Sequence, residues 1–321
     1  MQIILGVDIS KQTFDVAVLR PGQPVLRRKF PNQGSGFFQL SQLLPAEGCQ
    51  IVLALEATGR YGNALARFGF DLGWRVLVLN PARVKAYATS LGQRNKTDRA
   101  DCWTIGLFAQ NTPGLVPWVP PSAVQAQLRD LVRERLHVQG LLRAEQARAE
   151  GADAAAQSFR AARIQWLKEQ QKELGREIQK LLQADPTLSQ SLRLIRSIPG
   201  LGAWTAAVLL SELPPIDPKT KTRKIAALFG LCPRNAESGT SLRGGRLDGQ
   251  GRRLLSHQLY MPALVALRHN APIRAWAQQL RERGKTGKKV VAAVIHRLLR
   301  LAVGVLKSQT EFRADWRSCT S

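Results

Sequence analysis

Acidic residues are scarce in this chain of 321 residues: 23 Asp and Glu stand against 47 Lys and Arg, a formal net charge of +24. Cysteine and histidine are scarce too, with four of each. Cys49, Cys102, Cys232 and Cys319 form no CxxC pair, which argues against a structural zinc or dithiol redox motif. His137, His257, His269 and His296 form no HExxH or similar spacing. No apolar run is long enough to span a bilayer, and no stretch reads as a basic amphipathic anchor. The opening MQIILGVDIS lacks the charged region and small-residue cleavage site of a signal peptide. No internal repeat or low-complexity segment occurs. These absences point to a reducing cytoplasm. The charge points to a polyanion partner, with nucleic acid foremost, because Lys and Arg release counterions condensed on phosphates.

The length and a 44% hydrophobic content are enough for about two domains. Period-two and apolar-run signals in the first part read as strand, strand, strand (IILGVDI, TFDVAVL, PVLRRKF), then helix, strand, helix, strand, helix, helix. Three strands in hairpins followed by αβ units predict an α/β ribonuclease-H-like domain over 1–115. A doubly wound dinucleotide-binding sheet would open βαβ with a glycine fingerprint, and here SKQT follows the first strand. PGLVPWVPP, residues 113–121, marks a linker. Beyond it the chain reads as helical: an arm over 122–184, then a mostly α C-terminal domain over 186–321. Ile164, Leu167, Leu174, Ile178 and Leu181 fit a and d positions, with Gln171 in one a slot, which predicts a helical hairpin or coiled coil. Pairing within one chain and pairing between protomers both fit a stripe this short.

Four acids occupy suggestive places. Asp8 ends the first strand, Glu56 ends the fourth, and Asp98 and Asp101 open a helix in RNKTDRADCW. Residues three apart share a helix face, about 5–6 Å from one another. In a ribonuclease-H-like sheet the first and fourth strands are neighbours, so Asp8 and Glu56 can meet, with the helix crossing above. Carboxylates that converge this way repel unless protons or cations sit among them. Hard divalent cations, Mg²⁺ or Mn²⁺, suit such oxygen donors and support phosphodiester chemistry. Arg94, Lys96 and Arg99 around the aspartates are candidate phosphate contacts. For Asp98 and Asp101 alone, a helix N-cap and a first-turn charge would serve as well. Asp15, mid-strand in TFDVAVL, reads as an exposed alternating position.

Two further segments are basic and glycine-rich. GLCPRNAESGTSLRGGR, residues 230–246, offers Ser238 with Gly239 beside it, and Arg234, Arg243 and Arg246 to offset phosphate charge. A serine is a poor nucleophile without a base or metal, so alone this loop reads as a phosphate-binding turn. SIPGLGAWTAA, residues 197–207, has the form of a helix-hairpin-helix turn in which Gly200 and Gly202 expose backbone N–H groups to phosphate. An ordinary helix-turn-helix corner fits equally.

GVDISKQTFDVAV, LEATGRY, LNPARVKAYATSLGQRNKTDRADCWTIGLFA, SIPGLGAWTAAVLL, FGLCPRNAESGTSLRGG and LYMPALVAL follow one another along nearly the whole chain. In this the sequence resembles the DEDD-type insertion-sequence transposases, relatives of the Piv DNA invertases and known as bridge-RNA-guided recombinases. The resemblance implies a RuvC-like domain with a DEDD tetrad on Asp8, Glu56, Asp98 and Asp101, a coiled-coil arm, and a C-terminal domain with a catalytic serine at Ser238. It also implies Mg²⁺ on the tetrad, a covalent phosphoserine link, a noncoding bridge RNA pairing with donor and target DNA, and composite sites in a dimer or tetramer. A nucleoid-associated protein of the bacterial cytoplasm is expected. Many relatives carry a Ser-Lys-Arg-Gly-like turn after the serine loop. This chain has LDGQGRR, where Arg252 and Arg253 are candidate substitutes. The competing expectation is a metal-dependent junction resolvase or nuclease in which Ser238 only binds phosphate.

Overall fold

The computed structural model describes residues 1–314 apart from 46–47, 58, 60, 93–97, 151–153, 217–221, 232, 237–243 and 248–253. At 98–100, 154, 223–224, 233–236 and 244–247 the description is of the backbone. The chain forms two compact units that divide between Pro120 and Pro121.

The first unit runs β1 (Gln2–Ile9), β2 (Thr13–Leu19), β3 (Leu26–Pro31), α1 (Gly34–Gln42), β4 (Gln50–Glu56), α2 (Asn63–Asp71), β5 (Arg75–Leu79), α3 (Pro81–Ser90) and α4 (Asp98–Asn111). The five strands form one sheet in the order β3-β2-β1-β4-β5. The β1–β2 and β2–β3 pairs are antiparallel, and β1–β4 and β4–β5 are parallel. Order and mixed direction are those compatible with a ribonuclease-H-like α/β domain.

Period two sorts the strand residues onto two buried faces. Leu5, Val7, Phe14, Val16, Leu53 and Leu55 pack with Phe37 and Leu40 of α1 and Leu65 of α2. Ile4, Ala17, Leu19, Val52, Ala54 and Leu77 pack with Val84 of α3 and with Cys102, Ile105 and Phe108 of α4. Helix α4 lies directly against the sheet because two glycines meet there. A Cβ on Gly6 would come within 2.7 Å of Gly106 Cα, a separation that leaves no room for a side chain. Asn80 caps α3, its side chain accepting from Ala82 N at 2.9 Å, with Pro81 at the first helical position.

The second unit opens with two long helices, α5 (Ala123–Ala149) and α6 (Ala154–Ala184). They run antiparallel: Val138 and Leu142 pack with Leu167 and Ile164, while Leu128 and Val132 share a core with Ile178 and Leu182. The heptad expectation is displaced at its last step. Leu182 is buried and Leu181 only half-buried, because a 3.6-residue helix drifts from a 3.5-residue repeat.

Next come α7 (Pro186–Arg196), α8 (Ala203–Glu212), α9 (Thr222–Leu228), β6 (Pro233–Ala236), β7 (Gly244–Leu247), α10 (Leu254–Gln258), α11 (Tyr260–His269), α12 (Ala271–Glu282) and α13 (Gly287–Ser308). Val290, Val294, Leu298 and Ala302 of α13 line the centre of its core. Side chains of α5 tie the arm to the end of α8. Gln125 Nε2 donates to the carbonyls of Leu210 and Leu213 at 3.1 and 2.7 Å, and Arg129 Nε donates to that of Ser211 at 2.9 Å. Glu212, 1% exposed, pairs with Arg133 at 3.0 Å and Arg129 at 4.0 Å. Orphan carbonyls at a helix end are thus satisfied by a neighbouring helix rather than by water.

The C-terminal part is mostly helical but not wholly so. Residues 230–246, read from the sequence as a loop, include the antiparallel pair β6–β7, in which Arg234 is the partner of Arg246. The short strands carry glycine, proline and arginine rather than an apolar alternation, so nothing in the pattern announced them.

Candidate active site

Asp8 is the penultimate residue of β1, Glu56 the last of β4, and Asp101 lies in the first turn of α4. The β1–β4 register runs in step up to Val7 opposite Leu55, which leaves Asp8 and Glu56 next in line on neighbouring strands. Both follow the parity of Gly6 and Ala54, so they belong to the face that α4 covers. Asp8, Glu56 and Asp101 are each half-buried.

The same register adds a residue that sequence reading placed elsewhere. Asp15 is the direct partner of Asp8 in the β1–β2 pair, and it shares the parity of Ala17, a residue of the α4 face. It is therefore on the carboxylate face, not on an exposed alternating face as expected. Its neighbour on the far side is Lys29 of β3, whose Nζ lies 3.5 Å from Asp15 Oδ2. Lys29, Asp15, Asp8 and Glu56 thus form one row across four strands. The signal was present in the hairpin: pairing around the SKQT turn sets Asp8 opposite Asp15 once the register is counted.

Cys102, buried beside Asp101, senses this row. Burial pushes its thiol up to about 11, the charges of Asp15 and Asp8 add to the rise, and Arg27 opposes it.

The donor set, carboxylate oxygens from Asp8, Glu56 and Asp101, suits a hard divalent cation. Among the described residues, no three acidic, cysteine or histidine side chains close on one another as a finished metal-ligand group. Asp98 is the first residue of α4, three positions before Asp101, and its side chain lies outside the described residues, as does that of Arg99. Arg94 and Lys96 lie outside them altogether.

The second unit holds the other expected site residues. Arg234 and Arg246 occupy paired backbone positions of β6 and β7. The segment that joins these strands, with Ser238, Gly239 and Arg243, lies outside the described residues, as do Arg252 and Arg253. Gly200 and Gly202 serve different ends in the turn between α7 and α8. Gly200 has φ +108°, and a Cβ there would sit 2.7 Å from Ala266 Cβ of α11, so packing and backbone conformation both require glycine. Gly202 is the N-cap of α8 with φ −80°, and a Cβ there would meet nothing within 4 Å. Open space in front of a helix start is what a phosphate seat needs.

A sheet of this order with acids ending its first and fourth strands, under a helix that opens with two more, is compatible with a ribonuclease-H-like enzyme acting on phosphodiesters. Comparison with known proteins makes the class specific. Residues 5–152 match a family model of DEDD transposases of the IS110 type, and residues 192–278 match one described as the transposase IS116/IS110/IS902 family. The chain is 28% identical over 314 residues to the pilin gene-inverting protein of Moraxella bovis, covering 96% of this chain and 97% of that one. The pilin gene-inverting protein of Moraxella lacunata matches with the same identity and coverage. A putative transposase of Sinorhizobium fredii is 27% identical, covering 100% of this chain and 88% of its own. The chain belongs to the DEDD-type IS110-family transposases, enzymes that recombine DNA. No helix among the described residues is long and apolar enough to cross a membrane.

Proposed function

We propose that this chain is an RNA-guided DNA recombinase that exchanges strands through a covalent serine ester, with Asp8, Glu56, Asp98 and Asp101 as the holders of divalent metal. The observation that carries the reading is the neighbouring register of Asp8 and Glu56 on the face covered by α4, with Asp101 in that helix's first turn. Mg²⁺ or Mn²⁺ bound there would supply positive charge for the developing charge on a phosphate and its leaving oxygen. The chain's own groups do the rest. Strand ends and a helix resting on glycine fix the backbone positions of Asp8, Glu56 and Asp101. Arg94, Lys96, Arg99, Arg234, Arg243, Arg246, Arg252 and Arg253 offset the charge of the incoming backbone. Gly202 leaves the α8 N-terminus open to a phosphate.

In the covalent step Ser238 Oγ forms a bond to phosphorus as the bridging P–O bond of the strand breaks. The hydroxyl proton ends on the released strand oxygen, and nothing is oxidised or reduced. The hydroxyl of a second strand end then attacks the phosphoserine, restoring Ser238 and joining the new strand. One phosphoester replaces another at each stage, so the energy of the broken bond is kept. Hydrolysis would lose it.

A noncoding bridge RNA that pairs with donor and target DNA is the proposed guide, and the +24 charge supports a chain able to hold both nucleic acids. The hairpin of α5 and α6 is the proposed coiled-coil arm of a dimer or tetramer. The setting is the bacterial cytoplasm, at the nucleoid.

The test is direct. Full-length protein incubated with Mg²⁺, guide RNA and labelled donor DNA should give a denaturant-resistant protein–DNA adduct, and Ser238→Ala should abolish it. Cleaved DNA with no adduct in the native protein would instead establish the hydrolytic resolvase reading.

A further inference from the structure

Strand β3 carries Arg27, Arg28 and Lys29 in a row, all exposed, and period two divides them. Arg27 pairs with Ala17 and Lys29 with Asp15, so both share the face that bears Asp15, Asp8 and Glu56. Arg28 pairs with Val16 and belongs to the opposite face, with Leu26 and Phe30. Its guanidinium folds back along the strand, Nη1 donating to the carbonyl of Arg27 at 3.1 Å. Two cations on one face, at the outer edge of a row of acids, need an explanation that the third cation does not share.

We propose that Arg27 and Lys29 form a seat for the phosphates of the DNA strand that runs toward the carboxylates, an interaction that rests on the recombinase reading above. Neighbouring strands are about 4.8 Å apart. β3 is thus about 10 Å from β1, a span over which one strand of a duplex presents about three phosphates. That span is close to the Debye length of about 8–10 Å in physiological salt, so a backbone brought up to Asp15 and Asp8 meets their repulsion only partly screened. Cations at the edge offset that repulsion where the strand crosses it. Lys29 is held in place by its ion pair with Asp15 at 3.5 Å. Exposed pairs of this kind are weak, so the ammonium can turn to a phosphate without disturbing the fold. The rival account is generic: edge strands carry Lys and Arg to block pairing with other sheets, and then the face is irrelevant.

The three side chains provide their own control. Binding of the full-length protein to a short fluorescein-labelled duplex is followed by anisotropy over a salt series, with Ca²⁺ present. Arg27→Gln and Lys29→Gln should each flatten the slope of log K against log salt by about 0.9, while Arg28→Gln leaves it at the native value. All three sites are exposed, and a cooperative melting transition in each variant confirms that it folds. Equal flattening by all three, or by none, overturns the seat, as does a native protein that fails to bind the duplex. Repetition with single-stranded RNA of the same length separates the sources. Flattening with RNA alone overturns the assignment to DNA. A face-dependent slope in a protein that forms no serine adduct would sink the covalent mechanism and leave the seat standing. Adduct formation with no face dependence would do the reverse.

Discussion

Asp8 and Asp15 stand directly opposite each other in the antiparallel β1–β2 pair, and Lys29 closes the row 3.5 Å from Asp15. Like charges in that position disfavour folding, and Lys29 offsets one of the two. At the other end of the row Asp8 and Glu56 come next in line on neighbouring strands, on the face that α4 covers, and their carboxylate oxygens are donors of the kind a hard divalent cation takes.

Metal bound to the folded chain alone would be visible as stability. Mg²⁺ or Mn²⁺ should raise the melting temperature of the native protein. A ligand at 100 times its Kd contributes about 2.7 kcal/mol. In Asp8→Asn and Asp101→Asn the metal-dependent increment, taken as the difference between melting with metal and in EDTA, should shrink or vanish. An increment of native size in both variants, read by calorimetry, would remove the tetrad as the metal site.

The two glycines of the α7–α8 turn separate packing from binding. Gly200→Ala forces a side chain into φ +108° and against Ala266. It should cost about 1–3 kcal/mol in a denaturant titration. Gly202→Ala meets open space at φ −80° and should cost under about 1 kcal/mol. A variant pair with equal losses would mean that the turn is not shaped as described.

How much of this was legible beforehand varies with the range of the interactions involved. The order of strands and helices in the first unit follows from period and turn chemistry, which are local, and it is the order observed. Asp8 and Glu56 were legible as strand ends for the same reason. Asp15 was not, because whether a strand position is exposed depends on what covers the sheet. α4, which covers this face, is far away in sequence and lies there because Gly6 meets Gly106. Leu181 and Leu182 differ by one position for a similar reason: the core they meet includes the helices beyond the arm. The β6–β7 pair, built from Pro, Arg, Asn and Gly, has no strand propensity to read.

Glu212 is a buried charge among the described residues of the second unit. It is sealed at the end of α8, and its partners Arg129 and Arg133 come from α5. Removing the acid leaves two cations turned toward a buried site, so Glu212→Ala should cost about 3 kcal/mol. Arg133→Ala removes one of the two cations and leaves Glu212 beside Arg129 at 4.0 Å, so it should cost less than Glu212→Ala. Chemical denaturation of both variants checks the order. An Arg133→Ala loss equal to or larger than that of Glu212→Ala would mean that the pair, rather than the burial of the acid, sets the energy.

The last prediction concerns how Ser238 reaches the acids. The tetrad belongs to the first compact unit and Ser238 to the second, with the two long helices of the arm between them in sequence. A site that needs both can be assembled within one chain or between protomers, and the two arrangements respond differently to mixing. Ser238→Ala protein and Asp98→Ala protein are each expected to be inactive in strand exchange. If sites are composite, hetero-oligomers of the two contain some sites with an intact tetrad from one protomer and an intact serine from the other, so the mixture should regain part of the native activity. If each site is built within a single chain, every site in the mixture carries a defect and the mixture stays inactive. Protomers must exchange for the test to count. Co-expression of the two variants with different affinity tags, followed by tandem purification, supplies hetero-oligomers by construction. Inactivity of that purified material would refute composite assembly, and normal recombination by Ser238→Ala alone, with loss in Ser241→Ala, would move the nucleophile to the other hydroxyl.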